Sequence, residues 1–204
     1  MKFEERERLY RRDAYYWGRE RNDLAAETLR HVPGNHDGLK LVDIGAGEGR
    51  DAVYFAEQGF DVFASDISPA GLEKAERLAE ERGVSIRTVE ADANHLFVPW
   101  QVDVFYSIGA LQYIEPGNRE DQFDHFKSQT AEGGVHAMFA FVDHEGVPTP
   151  PDWTDEEHFY QPGELADYYD DWRVLDEEAF VFDDDSMGVP HQHAAETLIV
   201  QKPQ

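Results

Sequence analysis

The spacing of apolar positions changes repeatedly along the chain. Leu39, Leu41, Val42 and Ile44 form a run dense enough for a buried strand, and Gly45-Ala46-Gly47-Glu48-Gly49 ends it in a tight turn. Over residues 50–58 the spacing lengthens to a helical one, with Ala52, Val53, Phe55 and Ala56 on one face and Gly59 where a helix C-terminal glycine belongs. A second short run over 60–65 delivers Asp66, 23 positions after Asp43. Strand, glycine turn, helix, strand and acid make one βαβ unit, with the acid near the distance at which such units meet a ribose.

The alternation continues. Ser68-Pro69 opens a helix with Leu72, Ala75, Leu78 and Ala79 as its apolar stripe and Gly83 as its end. Third and fourth strands are expected over 84–89 and 102–108. A polar helix follows over 115–129 with Phe123 and Phe126 inward, then a turn at Gly133-Gly134 and a fifth strand over 135–142. Strands alternating with helices predict an α/β fold around a mostly parallel sheet. A short helix over 164–170 and two closing strands over 172–182 and 195–200 complete the chain. Before the βαβ unit, residues 3–31 are expected to be helical in two pieces, with Asp13 as the N-cap of the second and Tyr15, Tyr16 and Trp17 in its first turn. Residues 143–163 hold four of the ten prolines and little periodicity, yet Trp153, Phe159 and Tyr160 lie among them. That composition predicts an ordered lid rather than a disordered excursion.

Length places all 204 residues in one domain, divided into an N-terminal arm (1–38), a βα core (39–142), the lid (143–163) and C-terminal strands (164–204). The charged N-terminus lacks a signal peptide's apolar region, and no apolar run approaches the ~18 residues of a membrane span, so a cytoplasmic protein is expected. Zero cysteines exclude disulfides, thiolate metal sites and a cysteine nucleophile. Charge changes the picture more. Asp and Glu number 43 against 18 Lys and Arg, for a net −25, which disfavours nucleic acid and anionic membrane as partners. The acids are spread rather than clustered and lysines number only five, a surface expected of a halophile.

The glycine spacing narrows the ligand. Dinucleotide folds carry G-x-G-x-x-G, whereas this turn is G-x-G-x-G. VDIGAGEG resembles the first motif of the class I S-adenosylmethionine-dependent methyltransferases. The resemblance implies a Rossmann-like, seven-stranded, mostly parallel sheet flanked by helices, with an antiparallel C-terminal strand. It implies S-adenosyl-L-methionine as cofactor, held by Asp43, Gly45, Ala46 and Gly47 at the turn. Asp66 would take the ribose with Ile67 beside it, and Asp92 and Ala93 the adenine. Ser107 and Ile108 would lie at the fourth motif, between cofactor and acceptor, with Tyr113 on the acceptor side. The family's N-terminal helix closes over the cofactor, which implies Trp17 or Tyr16 against it. Arg50 is expected to pair with a carboxylate or lie near the methionine end. The stretch EGRDAVYFAEQGFDVFASDIS and the later YQPGELADYYDDWRVL resemble the tellurite-resistance methyltransferase family in particular. That implies a small-molecule acceptor, a tellurite- or selenite-like oxyanion or another small nucleophile.

His191-Gln192-His193, before the last strand, supplies the candidate acceptor-site groups, His191 and His193. No arginine follows Arg173, which tells against an oxyanion. An H-x-H pair on a strand would also put both rings on one face, as metal ligands need, but the expectation is no metal. Two other functions fit a βαβ unit: a nucleotide-dependent oxidoreductase, disfavoured by the glycine spacing and the lack of a second catalytic domain, and a non-catalytic cofactor-binding relative. The oligomeric state is left open.

Overall fold

The computed structural model describes residues 1–151, 153–185 and 188–204, so residue 152 of the expected lid lies outside the described residues. Seven strands form one sheet: β1 (Lys40–Ile44), β2 (Asp61–Asp66), β3 (Arg87–Glu90), β4 (Val102–Ser107), β5 (Thr130–Phe141), β6 (Arg173–Asp184) and β7 (His191–Gln201). Their order is β3-β2-β1-β4-β5-β7-β6. Only β7 runs against its neighbours, pairing antiparallel with both β5 and β6. Strand alternation splits the core between two faces. Leu41, Val104, Tyr106, Ala137 and Ile199 pack beneath α2 (Asp23–His31) and α3 (Arg50–Glu57). Val42, Phe105 and Met138 face α5 (Arg119–Gln129) and α6 (Glu164–Asp167) through Phe123, Phe126 and Leu165. Among the described residues no helix is long and apolar enough to cross a membrane.

Helix α4 (Pro69–Arg82) forms as its sequence predicts. Ser68 Oγ accepts the Gly71 N–H at 3.1 Å, proline occupies the first turn, and Gly83 ends the helix at φ 73°. The N-terminal arm differs from expectation. Helix α1 (Phe3–Tyr10) stops early, and α2 begins only at Asp23, capped by Asn22 Oδ1 accepting from Leu24 N at 3.0 Å. Asp13 caps nothing. Residues 11–22 are drawn out of helix by tertiary bonds: Gly18 takes φ 79°, and the Trp17 N–H donates to Glu48 Oε2 at 3.1 Å. The third strand is shifted to 87–90, because Val84 N closes the end of α4 on Ala79 O instead of joining the sheet. Gly133-Gly134 is a bulge rather than a turn, so β5 starts at Thr130. Strand β7 starts at His191, four residues before the expected edge, which puts both histidines on the strand.

The described residues among 143–163 carry no helix or strand beyond a bridge between Val142 and Tyr160, yet they are tightly held. Tyr160 is fully buried, and Trp153 stacks on Phe159 with centroids 4.3 Å apart. Arg119 of α5, 2% exposed, donates to Glu164 Oε1 at 2.7 Å, to the carbonyls of His158 (2.9 Å) and Phe159 (3.2 Å), and lies 3.6 Å over the Tyr160 ring. Replacing it removes the cation beside Glu164, whose carboxylate keeps Tyr168 and Gln161 as donors, and takes a donor from the carbonyls of Ile114, His158 and Phe159. Arg119→Leu should cost about 3–5 kcal/mol in a denaturant titration and speed amide exchange over 154–163 first. A loss below about 1 kcal/mol would show that this segment is held by its aromatics alone.

Candidate functional site

The glycine turn builds the site. Gly45 and Ala46 both donate to Ser65 O, at 2.8 and 2.9 Å, which folds the turn back onto the end of β2. Gly45 has φ 74°, and a Cβ there would overlap the Ala110 methyl, so no other residue fits. Gly47 N–H donates to Asp66 Oδ2 and Ser68 N–H to Asp66 Oδ1, each at 2.8 Å. The carboxylate is therefore fixed in direction at the carboxyl end of the sheet, where open α/β folds bind ligands. Burial pushes the Asp66 carboxyl above its ordinary value, against the pull of those two N–H groups and of Arg6.

Two cavities open here. The smaller, about 290 Å³, is lined by Asp66, Ile67, Asp92 and Ala93 among others. The larger, about 550 Å³, takes in Asp43, Ala46, Gly47, Arg50, Ile108 and Trp17 near the turn, and runs on to His193. Arg6, Tyr10, Gly45, Gly109 and Tyr113 line both. Helix α1 thus lies across their junction. Glu7 Oε2 accepts from Ser68 Oγ at 2.5 Å, and the Trp17 indole N–H donates to the Tyr10 hydroxyl at 2.9 Å. Behind the turn, Glu48 and Lys74 form a buried ion pair. The Lys74 ammonium also donates to the carbonyls of Arg12 (3.0 Å) and Ala14 (2.6 Å), which ties the arm down over the cleft.

Most residues expected from the sequence come together on these walls, with differences. Trp17 reaches the larger cavity, while Tyr16 lines neither. Arg50 donates to Trp17 O at 2.8 Å and stands 3.7 Å from Asp51, so it holds the arm. Asp92 spends Oδ1 on Asn94 N at 2.8 Å and lines the smaller cavity from an exposed position. Ser107 is a correction: it is fully buried, its hydroxyl donates to Ile44 O at 3.0 Å, and it lines neither cavity. An inward-facing strand position satisfies its hydroxyl on the neighbouring strand. Tyr113 stands at the junction with its hydroxyl donating to Glu157 Oε1 at 3.1 Å, and burial raises its pKa. His191 lines neither cavity, but its ring touches that of His193, which does.

Several site residues carried no readable signal. Arg6 lies 4.4 Å over the Tyr113 ring, and its Nη1 is buried without a hydrogen-bond partner among the described residues. The same holds for Gln112 Oε1 in the larger cavity. The far wall of that cavity is aromatic, built from Phe139 and Phe141 of β5, Phe180 and Phe182 of β6, and Trp153, with Glu157, Glu178 and Asp184 among them. Alternating aromatics at 139/141 and 180/182 are the one trace of this wall in the sequence. Near the turn three acids crowd together. Asp43 is 2% exposed, and burial, then Asp51 and Asp66, push its carboxyl well above the usual range. Asp51, also raised by burial, accepts from Asn22 N at 2.6 Å and from the Tyr106 hydroxyl at 3.1 Å.

Residues 41–134 match the model of a methyltransferase domain. The chain is 24% identical over 137 residues to the probable S-adenosyl-L-methionine-dependent methyltransferase TehB of Haemophilus influenzae, covering 67% of this chain and 47% of that protein. It is 26% identical over 169 residues to hemagglutinin 1 of Eikenella corrodens, covering 80% and 55%. It therefore spans about half the length of these curated relatives. Among solved structures it superposes on TehB of Haemophilus influenzae with a TM-score of 0.79 at 20% identity, over 89% of this chain and 62% of that one. It also superposes on the N-methyltransferase NodS of Bradyrhizobium japonicum WM9 in complex with S-adenosyl-L-homocysteine, with a TM-score of 0.74 at 14% identity, over 99% and 98%. The β3-β2-β1-β4-β5-β7-β6 sheet gives the chain the Rossmann-like fold of these structures, and residues 41–134, with the G-x-G-x-G turn feeding Asp66, carry a methyltransferase domain similar to that of the probable S-adenosyl-L-methionine-dependent methyltransferase TehB.

Proposed function

We propose that the chain transfers a methyl group from S-adenosylmethionine to a small molecule held in the larger cavity. The observation that carries this reading is the junction itself: a ribose-type acid and the glycine turn on one side, an aromatic-walled chamber on the other, and Arg6, Tyr10, Gly45, Gly109 and Tyr113 shared between them. The chemistry of the walls fits the cofactor. Asp66 offers a fixed carboxylate for ribose hydroxyls, and Asp92 and Ala93 the place for adenine. The buried, unpartnered Arg6 Nη1 is a donor for the carboxylate of the methionine end, and Gln112 Oε1 an acceptor for its ammonium.

When bound, the cofactor supplies a methyl group on a sulfonium, so the protein's task is alignment and exclusion of water. Helix α1 and residues 143–163 serve the second, the latter as a lid. Phe3 N–H donates to Glu156 Oε2 at 3.0 Å, and Tyr113 to Glu157, which joins helix, lid and junction. Tyr113 and His193 stand beside the acceptor. The resemblance of residues 48–68 and 160–175 to the tellurite-resistance family supports an oxyanion acceptor of the tellurite kind, but Glu157, Glu178 and Asp184 on the wall repel anions. Aromatic faces with carboxylates between them suit a neutral or cationic acceptor with a planar apolar part.

Transfer of labelled methyl from S-adenosylmethionine is expected to amines or phenols in a panel that also holds thiols, tellurite and selenite. Label appearing on tellurite or selenite alone would refute the acceptor assignment, and no label on any acceptor would refute the activity. Asp43 yields a stability prediction with a defined sign. Its folded pKa is raised, so the folded state binds the proton more tightly than the unfolded one, and stability is lost as pH rises from the unfolded value toward the folded one. Asp43→Asn should therefore raise Tm most at pH 8, with the gain shrinking as pH falls toward 4, while cofactor affinity drops. An equal Tm gain at both pH values would show that Asp43 is not buried as a charge.

A further inference from the structure

The β6–β7 hairpin carries a cluster that methyl transfer alone does not require. Strand register pairs Asp184 with His191 and Phe182 with His193, and the two-residue period puts both histidines on one face of β7. The two Nε2 atoms are 2.9 Å apart. Asp184 Oδ2 lies 3.4 Å from His193 Nε2 and 3.9 Å from His191 Nε2. An ion bound at about 2.1 Å to nitrogen and oxygen ligands holds adjacent ligand atoms about 3.0–3.5 Å apart, so these three atoms already stand close to coordination spacing. The histidine tautomer agrees. His191 Nδ1 lies 2.7 Å from Val189 O, and a carbonyl only accepts. Nδ1 therefore carries the proton, and the lone pair of the neutral ring sits on Nε2, toward the cluster. Metal-bound histidines are held by the same outer contact. The His193 ring is walled by Phe141 and Phe182, with centroids 4.8 and 5.4 Å away, which restricts its rotation and keeps the surroundings apolar.

We propose that Asp184, His191 and His193 bind a first-row divalent transition-metal ion, of the Zn²⁺ or Co²⁺ kind. Two imidazoles and one carboxylate favour such ions over Mg²⁺ and Ca²⁺, and occupy one side of the ion, leaving positions for a further ligand. Asp184 and His193 line the larger cavity, so those positions face it. Resting on the reading of that cavity as the acceptor chamber, this names the acceptor class: a small molecule whose hydroxyl oxygen binds the ion. Binding lowers the pKa of that hydroxyl, which the acidic wall alone would raise. The hydroxyl proton leaves to solvent, the oxygen pair forms the bond to the methyl carbon, and the carbon–sulfur pair stays on sulfur as the thioether departs. The ion also offsets the charge of Asp184, its own ligand.

The 204-residue chain, stripped with a chelator and titrated with Co²⁺ in excess Mg²⁺, tests this by the visible absorption of bound Co²⁺. Wild type should take up one equivalent. His193→Gln and Asp184→Asn should each weaken uptake by ~10–100-fold or more, and His95→Gln, an exposed histidine on the turn after β3, should not. Should His193→Gln fail to fold by far-UV circular dichroism, Asp184→Asn, whose side chain is 23% exposed, carries the comparison. Uptake no tighter than Mg²⁺, or equal in all variants, would overturn the site. S-adenosylhomocysteine affinity read in the same samples separates the two proposals: its absence beside cluster-dependent Co²⁺ uptake would overturn the methyl-transfer reading and leave the metal site standing.

Discussion

A short backbone segment with no room for side chains governs this molecule. Between β1 and α3, Gly45 and Gly49 take positive φ, and at each a Cβ would meet an alanine, Ala110 or Ala75. The turn can therefore press against β2 and against the loop after β4 at once, which is what directs Gly47 N–H onto Asp66 and opens the cleft above it. Backbone donors carry no rotamer entropy, so the acid they fix is oriented at little further cost. Glu48, the one long side chain in the turn, faces away from the cleft to the buried Lys74, and through it the N-terminal arm is held across the opening. Turn, acid and cover thus form one mechanical unit.

That unit explains why much of the fold is readable from sequence. Glycine spacing, strand runs and a terminal acid are local signals, and each appears where the chain alternates β and α. The parts that were misplaced depend on distant partners. Asp13 looks like a helix cap, but residues 11–22 are claimed by Lys74 and Glu48 more than 30 residues away. Ser107 sits at a family position, yet strand alternation turns its hydroxyl to Ile44. Arg6, Gln112 and Arg119 lie in helices or short turns with nothing in their neighbourhood to mark them, since what makes each notable is a cavity or a set of carbonyls supplied by other elements.

The site is also where the chain departs from what stability alone would choose. Asp43, Asp51 and Asp66 are all nearly buried and burial raises the pKa of each, so the cleft concentrates acids whose ionised form its surroundings disfavour. Asp184 and the two histidines converge only because β6 and β7 pair in the observed register; a one-residue slip would send Asp184 to the opposite face. The end of the larger cavity at Phe180, Phe182 and His193 is thereby a product of the C-terminal hairpin, whereas the end at Asp43 and Gly47 belongs to the βαβ unit. Such a division allows the far wall to change without disturbing the turn.

The central claim is that the glycine turn and Asp66 bind S-adenosylmethionine rather than a dinucleotide. Calorimetric titration with S-adenosylhomocysteine and, separately, with NAD addresses it directly, using wild type and Asp66→Ala. Wild type should bind one equivalent of S-adenosylhomocysteine, with NAD much weaker, and Asp66→Ala should lose about 1.5–3 kcal/mol, as charged hydrogen bonds are worth. Tighter binding of NAD, or an Asp66→Ala affinity equal to wild type, would contradict it.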